Sequence, residues 1–127
     1  MRRVIKFRGL KGDGEWLYGS LWEPSEELTE EKVCVIFPKK EGLAWRRFRV
    51  LPMTVGQFTG LCDKNGKEIY EGDIVRTPLN IGVVRYNADR WFYEVAALGE
   101  PMNNERLDAG RPEDEWEVIG NIHEDAY

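Results

Sequence analysis

Histidine, cysteine and serine are scarce: one, two and two of them in 127 residues. That scarcity removes most catalytic constellations. A hydrolytic triad would need His123 beside a nucleophile, with a carboxylate to orient it. Ser20 and Ser25 lie in no nucleophile-elbow sequence, and Cys34 sits inside an apolar run where a buried thiol is inert. His123 is therefore expected to be an exposed histidine near the end of the chain. Cys34 and Cys62 are too far apart to form a metal knuckle, and both are expected as buried free thiols. Gly9, Gly12 and Gly14 lack the strand-to-helix context and the Lys-Ser/Thr ending of a phosphate-binding loop.

Long apolar runs are missing too. The longest, Val33-Cys34-Val35-Ile36-Phe37, falls far short of the ~20 residues that span a bilayer. Arg2 and Arg3 open the chain, but Lys6 and Arg8 interrupt any apolar signal region behind them. No membrane contact is expected, and the cytoplasm is the expected location. Charge is unevenly placed: residues 1–60 carry 11 Lys and Arg against 8 Asp and Glu, whereas residues 61–127 carry 7 against 15. The acidic half repels phosphate backbones, so a nucleic-acid contact would have to come from the first half.

What is present reads as β structure. Residues 3–8 alternate with period two, as in a half-buried strand, and residues 15–22 are rich in strand formers. Asp13-Gly14 between them is a hairpin signal, because Gly tolerates the positive φ of tight turns. Further strands are predicted at 33–37, 45–51, 55–61, 67–70, 73–76, 82–86, 91–98 and 116–122, broken by Pro38, Pro52 and Gly-rich turns. Residues 24–32 read as an exposed loop. Residues 99–115, crowded with Asn, Asp, Glu and Pro, read as a long mobile loop. The fold class expected is mainly β: an N-terminal β-meander packed on a C-terminal SH3-like small barrel. Its parts would be residues 1–62 and residues 63–127, the latter with the loop at 99–115, together one compact unit.

Residues Thr54-Val55-Gly56-Gln57-Phe58-Thr59-Gly60-Leu61 and Asp63-Lys64-Asn65-Gly66-Lys67-Glu68-Ile69-Tyr70-Glu71-Gly72-Asp73-Ile74-Val75 closely resemble the signature of the YopX family of phage and prophage proteins. Ile5-Lys6-Phe7-Arg8, Glu15-Trp16-Leu17-Tyr18-Gly19 and Val118-Ile119-Gly120-Asn121-Ile122 agree with it; residues 24–32, 39–49 and 99–115 match no part of the pattern. The resemblance implies a β-rich protein with an SH3-like barrel in its C-terminal part, encoded by a phage or prophage and made in the cytoplasm of the bacterial host cell. It brings no catalytic residue and no cofactor.

Three functional readings follow. The first is a non-enzymatic accessory protein that acts through an unknown protein partner or self-association. In this reading Gly56, Gly60, Gly66 and Gly72 serve turns and bulges, and Phe58, Leu61, Ile69, Ile74 and Val75 fill a core. The second is nucleic-acid binding by the strand Trp45-Arg46-Arg47-Phe48-Arg49, where Trp45, Arg47 and Arg49 share one face and Arg46 adds charge. The same arginines would equally suit an edge strand kept from aggregating. The third is a carboxylate enzyme using Asp63, Glu68, Glu71 and Asp73. As a metal site that cluster, with Asn65, fails the calcium-loop template, since Gly66 comes two residues early; an Asx-type turn explains Asp63 and Asn65 more simply. No metal is expected.

Overall fold

A computed structural model describes residues 5–22, 34–38, 48–89, 92–98, 105–107 and 111–123; within 34–38 it describes only the side chain of Ile36, and the side chain of Arg111 is not included. The chain is mainly β and divides into two units, residues 1–57 and 58–127.

In the first unit, β1 (Phe7–Leu10), β2 (Trp16–Trp22), β3 (Cys34–Pro38) and β4 (Phe48–Val50) pair antiparallel with their neighbours in sequence. The β1–β2 connection follows from Asp13-Gly14: Gly14 takes φ 90°, and the Asp13 carboxylate accepts the Glu15 N–H at 3.0 Å. Strand β1 runs two residues past its expected end, through Gly9 to Leu10. The reason is packing: a Cβ at Gly9 would lie 2.7 Å from a Val50 methyl, so the glycine is where β4 comes close rather than part of a turn. Leu17, Ile36 and Val50 form the core, joined by Phe7, Leu21, Phe48 and Val55. Behind β4, a 3-10 turn over Pro52–Thr54 places the Thr54 hydroxyl to accept the Leu10 N–H at 2.8 Å.

Strand β5 (Gly56–Cys62) runs from the first unit into the second; its first two residues pair with β1. In the second unit the rest of β5 pairs with β6 (Glu68–Tyr70). A five-stranded sheet follows, built from β7 (Asp73–Arg76), β8 (Ile81–Asn87), β9 (Phe92–Ala97), β10 (Glu105–Arg106) and β11 (Glu117–Asn121), in the order β10-β9-β8-β7-β11, with every pair antiparallel. Its core is Ile69, Val75, Val84, Tyr93, Val95, Leu107, Trp116 and Val118.

Residues 99–115, expected to be without regular structure, contain β10 and a short helix α1 (Arg111–Glu115). Burial explains the difference. Glu105 is buried and accepts the hydroxyl proton of Thr77, Leu107 and Pro112 are buried, and the Trp116 N–H closes the helical turn onto the Pro112 carbonyl at 3.2 Å. Composition alone marks this stretch as polar, but contacts 28 residues away in sequence order it. Among the described residues no helix is long and apolar enough to cross a membrane.

Candidate functional site

The acidic signature residues come first, since an enzyme would use them. Asp63 is buried, and its carboxylate is fully engaged by backbone: Oδ1 accepts the Asn65 and Lys67 N–H groups at 2.9 Å each, and Oδ2 accepts the Val118 N–H at 2.9 Å. Burial alone would raise this carboxyl. The N–H groups of Val118, Lys67 and Asn65, helped by the charge of Lys67, outweigh it and hold the group below the ordinary Asp value. Gly66 takes φ 81° and donates its N–H to the Asp63 carbonyl at 3.0 Å, which completes an Asx-type turn. Asp73 accepts the Tyr70 N–H at 2.8 Å, and Glu68 accepts the Tyr70 hydroxyl at 3.1 Å. Asp63 thus ties the 63–67 turn to β11, while Glu68 and Asp73 both engage Tyr70. No three His, Cys, Asp or Glu among the described residues gather as a metal site. Phe58, Ile69 and Val75 are buried; Leu61 and Ile74 are half-buried.

Cys62 is a free thiol, half-buried rather than buried, and pairs across strands with Glu68. Cys34 pairs through its backbone with Val50; its side chain lies outside the described residues. His123 is half-buried rather than exposed, its N–H held by Asn121 Oδ1 at 2.9 Å. Ser20 stands exposed on β2, and Ser25 lies outside the described residues. Among the described residues these positions bring no nucleophile and base together.

Two surfaces remain. On the first unit, alternation along β2 turns Leu17 and Leu21 to the core and puts Trp16, Tyr18, Ser20 and Trp22 on the opposite face. Tyr18 is 45% and Trp22 48% exposed. The register carries this face across the sheet, because residues directly opposite in an antiparallel pair share a side. Arg8 faces Tyr18, Trp22 faces Val35, and Val35 faces Arg49. Arg8 is buried, with its guanidinium 4.9 Å from the centre of the Trp16 ring, so it fixes that ring rather than offering charge to solvent. Arg49 is exposed, while its neighbour Phe48 turns inward. Of the basic strand read from the sequence, Arg49 is therefore on this face. Trp45, Arg46 and Arg47 lie outside the described residues.

Sequence reasoning missed the β2 stripe because both faces of Trp16-Leu17-Tyr18-Gly19-Ser20-Leu21-Trp22 look apolar. The usable signal was the sorting of the aromatics to even positions and the aliphatics to odd ones.

On the second unit, an open cleft of about 700 Å³ lies at the β7–β8 connection, lined by Arg76, Thr77, Pro78, Leu79, Asn80, Ile81 and Leu98. Thr77 shapes it: its hydroxyl oxygen accepts the Leu79 and Asn80 N–H groups at 3.2 and 3.0 Å and its proton goes to Glu105. This turn pushes Leu79 out to 71% exposure, beside Leu98 at 62% and Ile81 at 43%. Among the described residues lining the cleft the one charged side chain is Arg76, which pairs with Glu117 at 3.8 Å. The contact these residues offer is mainly apolar.

A model of the YopX protein family matches residues 6–127, nearly the whole chain, and the chain belongs to that family. No curated protein matches it in sequence.

Proposed function

We propose that this YopX-family chain is a phage or prophage accessory protein that works by binding rather than by catalysis, through contacts with a protein partner or with a second copy of itself, in the cytoplasm of the bacterial host. Its C-terminal part is read as an SH3-like barrel. The strand order β11-β7-β8-β9-β10, with the short helix α1 between the fourth strand and the returning fifth, supports that reading. The consecutive antiparallel pairing of β1 to β4 supports an N-terminal meander. Asp63, Glu68, Asp73 and Glu105 are each engaged as hydrogen-bond acceptors, which favours structural roles for them over a paired-carboxylate mechanism. No cofactor enters this reading.

The observation that carries it is the aliphatic rim of the cleft. Single exposed apolar residues are ordinary on a protein surface, but three side by side around a concavity mark a contact site. Leu79, Ile81 and Leu98 are held there by the Thr77 turn and by the Leu98 N–H bond to the Ile81 carbonyl at 3.0 Å, so the rim is presented with little freedom to lose on binding. The test compares the wild-type chain with the double variant Leu79→Lys, Leu98→Lys. Solution mass by light scattering reads self-association, and affinity capture from cells carrying the phage reads partners. The wild type is expected to show one or the other, and the variant to lose it while keeping its circular dichroism. A monomeric wild type that captures nothing specific, or a variant that behaves like wild type, overturns the reading.

A further inference from the structure

We propose that the outer face of the first unit's sheet binds single-stranded nucleic acid, with bases stacking on Tyr18 and Trp22 and the phosphates drawn to Arg49 and Lys6. This site is independent of the aliphatic cleft.

The argument begins with the strand. β2 is paired on both sides, to β1 and to β3, so its backbone is fixed and its outward rings are held at defined spacing. Tyr18 and Trp22 are four residues apart on one face, about 13 Å along the strand at ~3.3 Å per residue. Exposed rings on a rigid strand are how sequence-tolerant single-strand binders seat bases, since every base has a π-face to stack. Bases in a duplex are already stacked on each other and would not reach them. Ser20, small and polar, stands exposed on β2 between the two rings.

Charge supplies the second half of the argument. Arg49 lies two strands from Trp22 on the same face, about 10 Å away at ~4.8 Å per strand, within reach of the backbone of a base stacked on that ring. Lys6 stands one residue before β1, where the register continued from Phe7–Gly19 sets it opposite Ser20, between the two rings. Residues 1–57 carry 11 Lys and Arg against 8 Asp and Glu, a balance of +3, whereas residues 58–127 carry 7 against 15, a balance of −8. A polyanion is thus attracted to the unit that bears the rings and repelled by the other. The overall charge of −5 would count against a nucleic-acid binder only if it were evenly spread.

The experiment titrates the full chain into fluorescent ~12-mer DNA and RNA oligonucleotides, single- and double-stranded, and reads anisotropy at several salt concentrations. Single strands are expected to bind at low salt and duplexes to bind weakly. With two phosphate contacts, log affinity should fall with log salt at a slope of about −1.4. Tyr18→Ala and Trp22→Ala are each expected to weaken binding roughly 5- to 150-fold. Arg49→Glu should weaken it and reduce the slope by about 0.7. Arg85→Glu, on the second unit, should leave it unchanged. No single-strand binding at low salt overturns the proposal, as does binding insensitive to Tyr18→Ala and Trp22→Ala. Because Leu79→Lys, Leu98→Lys acts on the other surface, that variant should bind oligonucleotides normally, and the two readings stand or fall separately.

Discussion

The two units bury their aromatic side chains to different extents. In the second unit Phe58, Tyr70, Tyr93 and Trp116 are all buried, and Phe58 and Tyr70 pack ring against ring at 5.4 Å. In the first unit the core is aliphatic at its centre, with Leu17, Ile36 and Val50, while Tyr18 and Trp22 stand in solvent. A buried ring contributes through removal of its area from water; an exposed ring gains nothing that way. The comparison teaches that aromatic content means different things in the two halves. In the second most of it is buried, with Tyr86 left 40% exposed; in the first Phe7 and Phe48 pack against the core while Tyr18 and Trp22 turn outward.

The sharpest way to break this comparison is at Trp116. It is fully buried in the eight-residue core, and its backbone carbonyl accepts the Lys64 N–H at 2.9 Å. Trp116→Ala is expected to destabilise the protein by about 3–5 kcal/mol, read by urea denaturation, with loss of amide protection in β7, β8 and β9. Trp116→Phe should cost much less. The indole Nε1 is buried with no hydrogen-bond partner among the described residues, so removing that donor also removes an unmet desolvation cost. A mild effect of Trp116→Ala would mean that the second unit does not depend on its aromatic core.

Next in size is Asp63. Asp63→Asn keeps the shape but must aim an NH2 at backbone N–H donors on one side or the other, so it is expected to cost about 2–3 kcal/mol. The pH dependence has a definite sign. The folded carboxyl lies below its unfolded value of about 3.9. Its stabilisation is therefore complete above that unfolded value and is lost as pH falls through the folded one. Urea midpoints of the wild type should drop below about pH 4 more steeply than those of Asp63→Asn. Amides of Asn65, Lys67 and Val118 should lose protection first. Equal acid slopes in the two proteins would show that the turn carboxylate is not what ties β11 to the 63–67 turn.

That turn was legible in the sequence, and the reason is locality. Asp63, Asn65 and Gly66 make their turn within four residues, as Asp13 and Gly14 do at the β1–β2 connection, and the strands around them follow from period-two patterns. What sequence could not give depended on partners far along the chain. Gly9 lay beyond the predicted end of its strand until β4 was placed against it. Glu105 looked like loop charge until Thr77 met it. The candidate surfaces behaved in the same way. The exposure of Tyr18 and Trp22 depends on which side of β2 meets Ile36 and Val50, and the cleft rim depends on a hydrogen bond between residues 81 and 98. Arg49 could be named beforehand because a basic run is visible in any context; its neighbours on the sheet could not.

A smaller effect is expected inside the first unit's core. Ile36 is fully buried between β2 and β4, facing Leu21 and Phe48 across the sheet. Ile36→Val deletes one methylene from this smaller cluster and should cost about 0.5–1.5 kcal/mol in urea denaturation. A cost well above that range would mean the site cannot collapse around the loss. The first unit would then be the more tightly packed of the two, contrary to the contrast drawn from its aromatics.

The smallest stability effect, and the most discriminating one, belongs to Tyr18 and Trp22. If both rings are largely surplus to folding, Trp22→Ala should leave stability within about 0.5 kcal/mol of wild type, and Tyr18→Ala, opposite the buried Arg8, should cost no more than about 1 kcal/mol. Trp16→Ala is the internal control on the same strand. Its ring is half-buried against the buried Arg8 guanidinium, so its loss should be felt in stability more than the other two. Equal costs at all three positions would mean that the outer face of β2 is structural along its whole length. Small stability costs at 18 and 22, a larger one at 16, and oligonucleotide affinity that falls at 18 and 22 would separate the part of the stripe that holds the sheet from the part that faces a ligand.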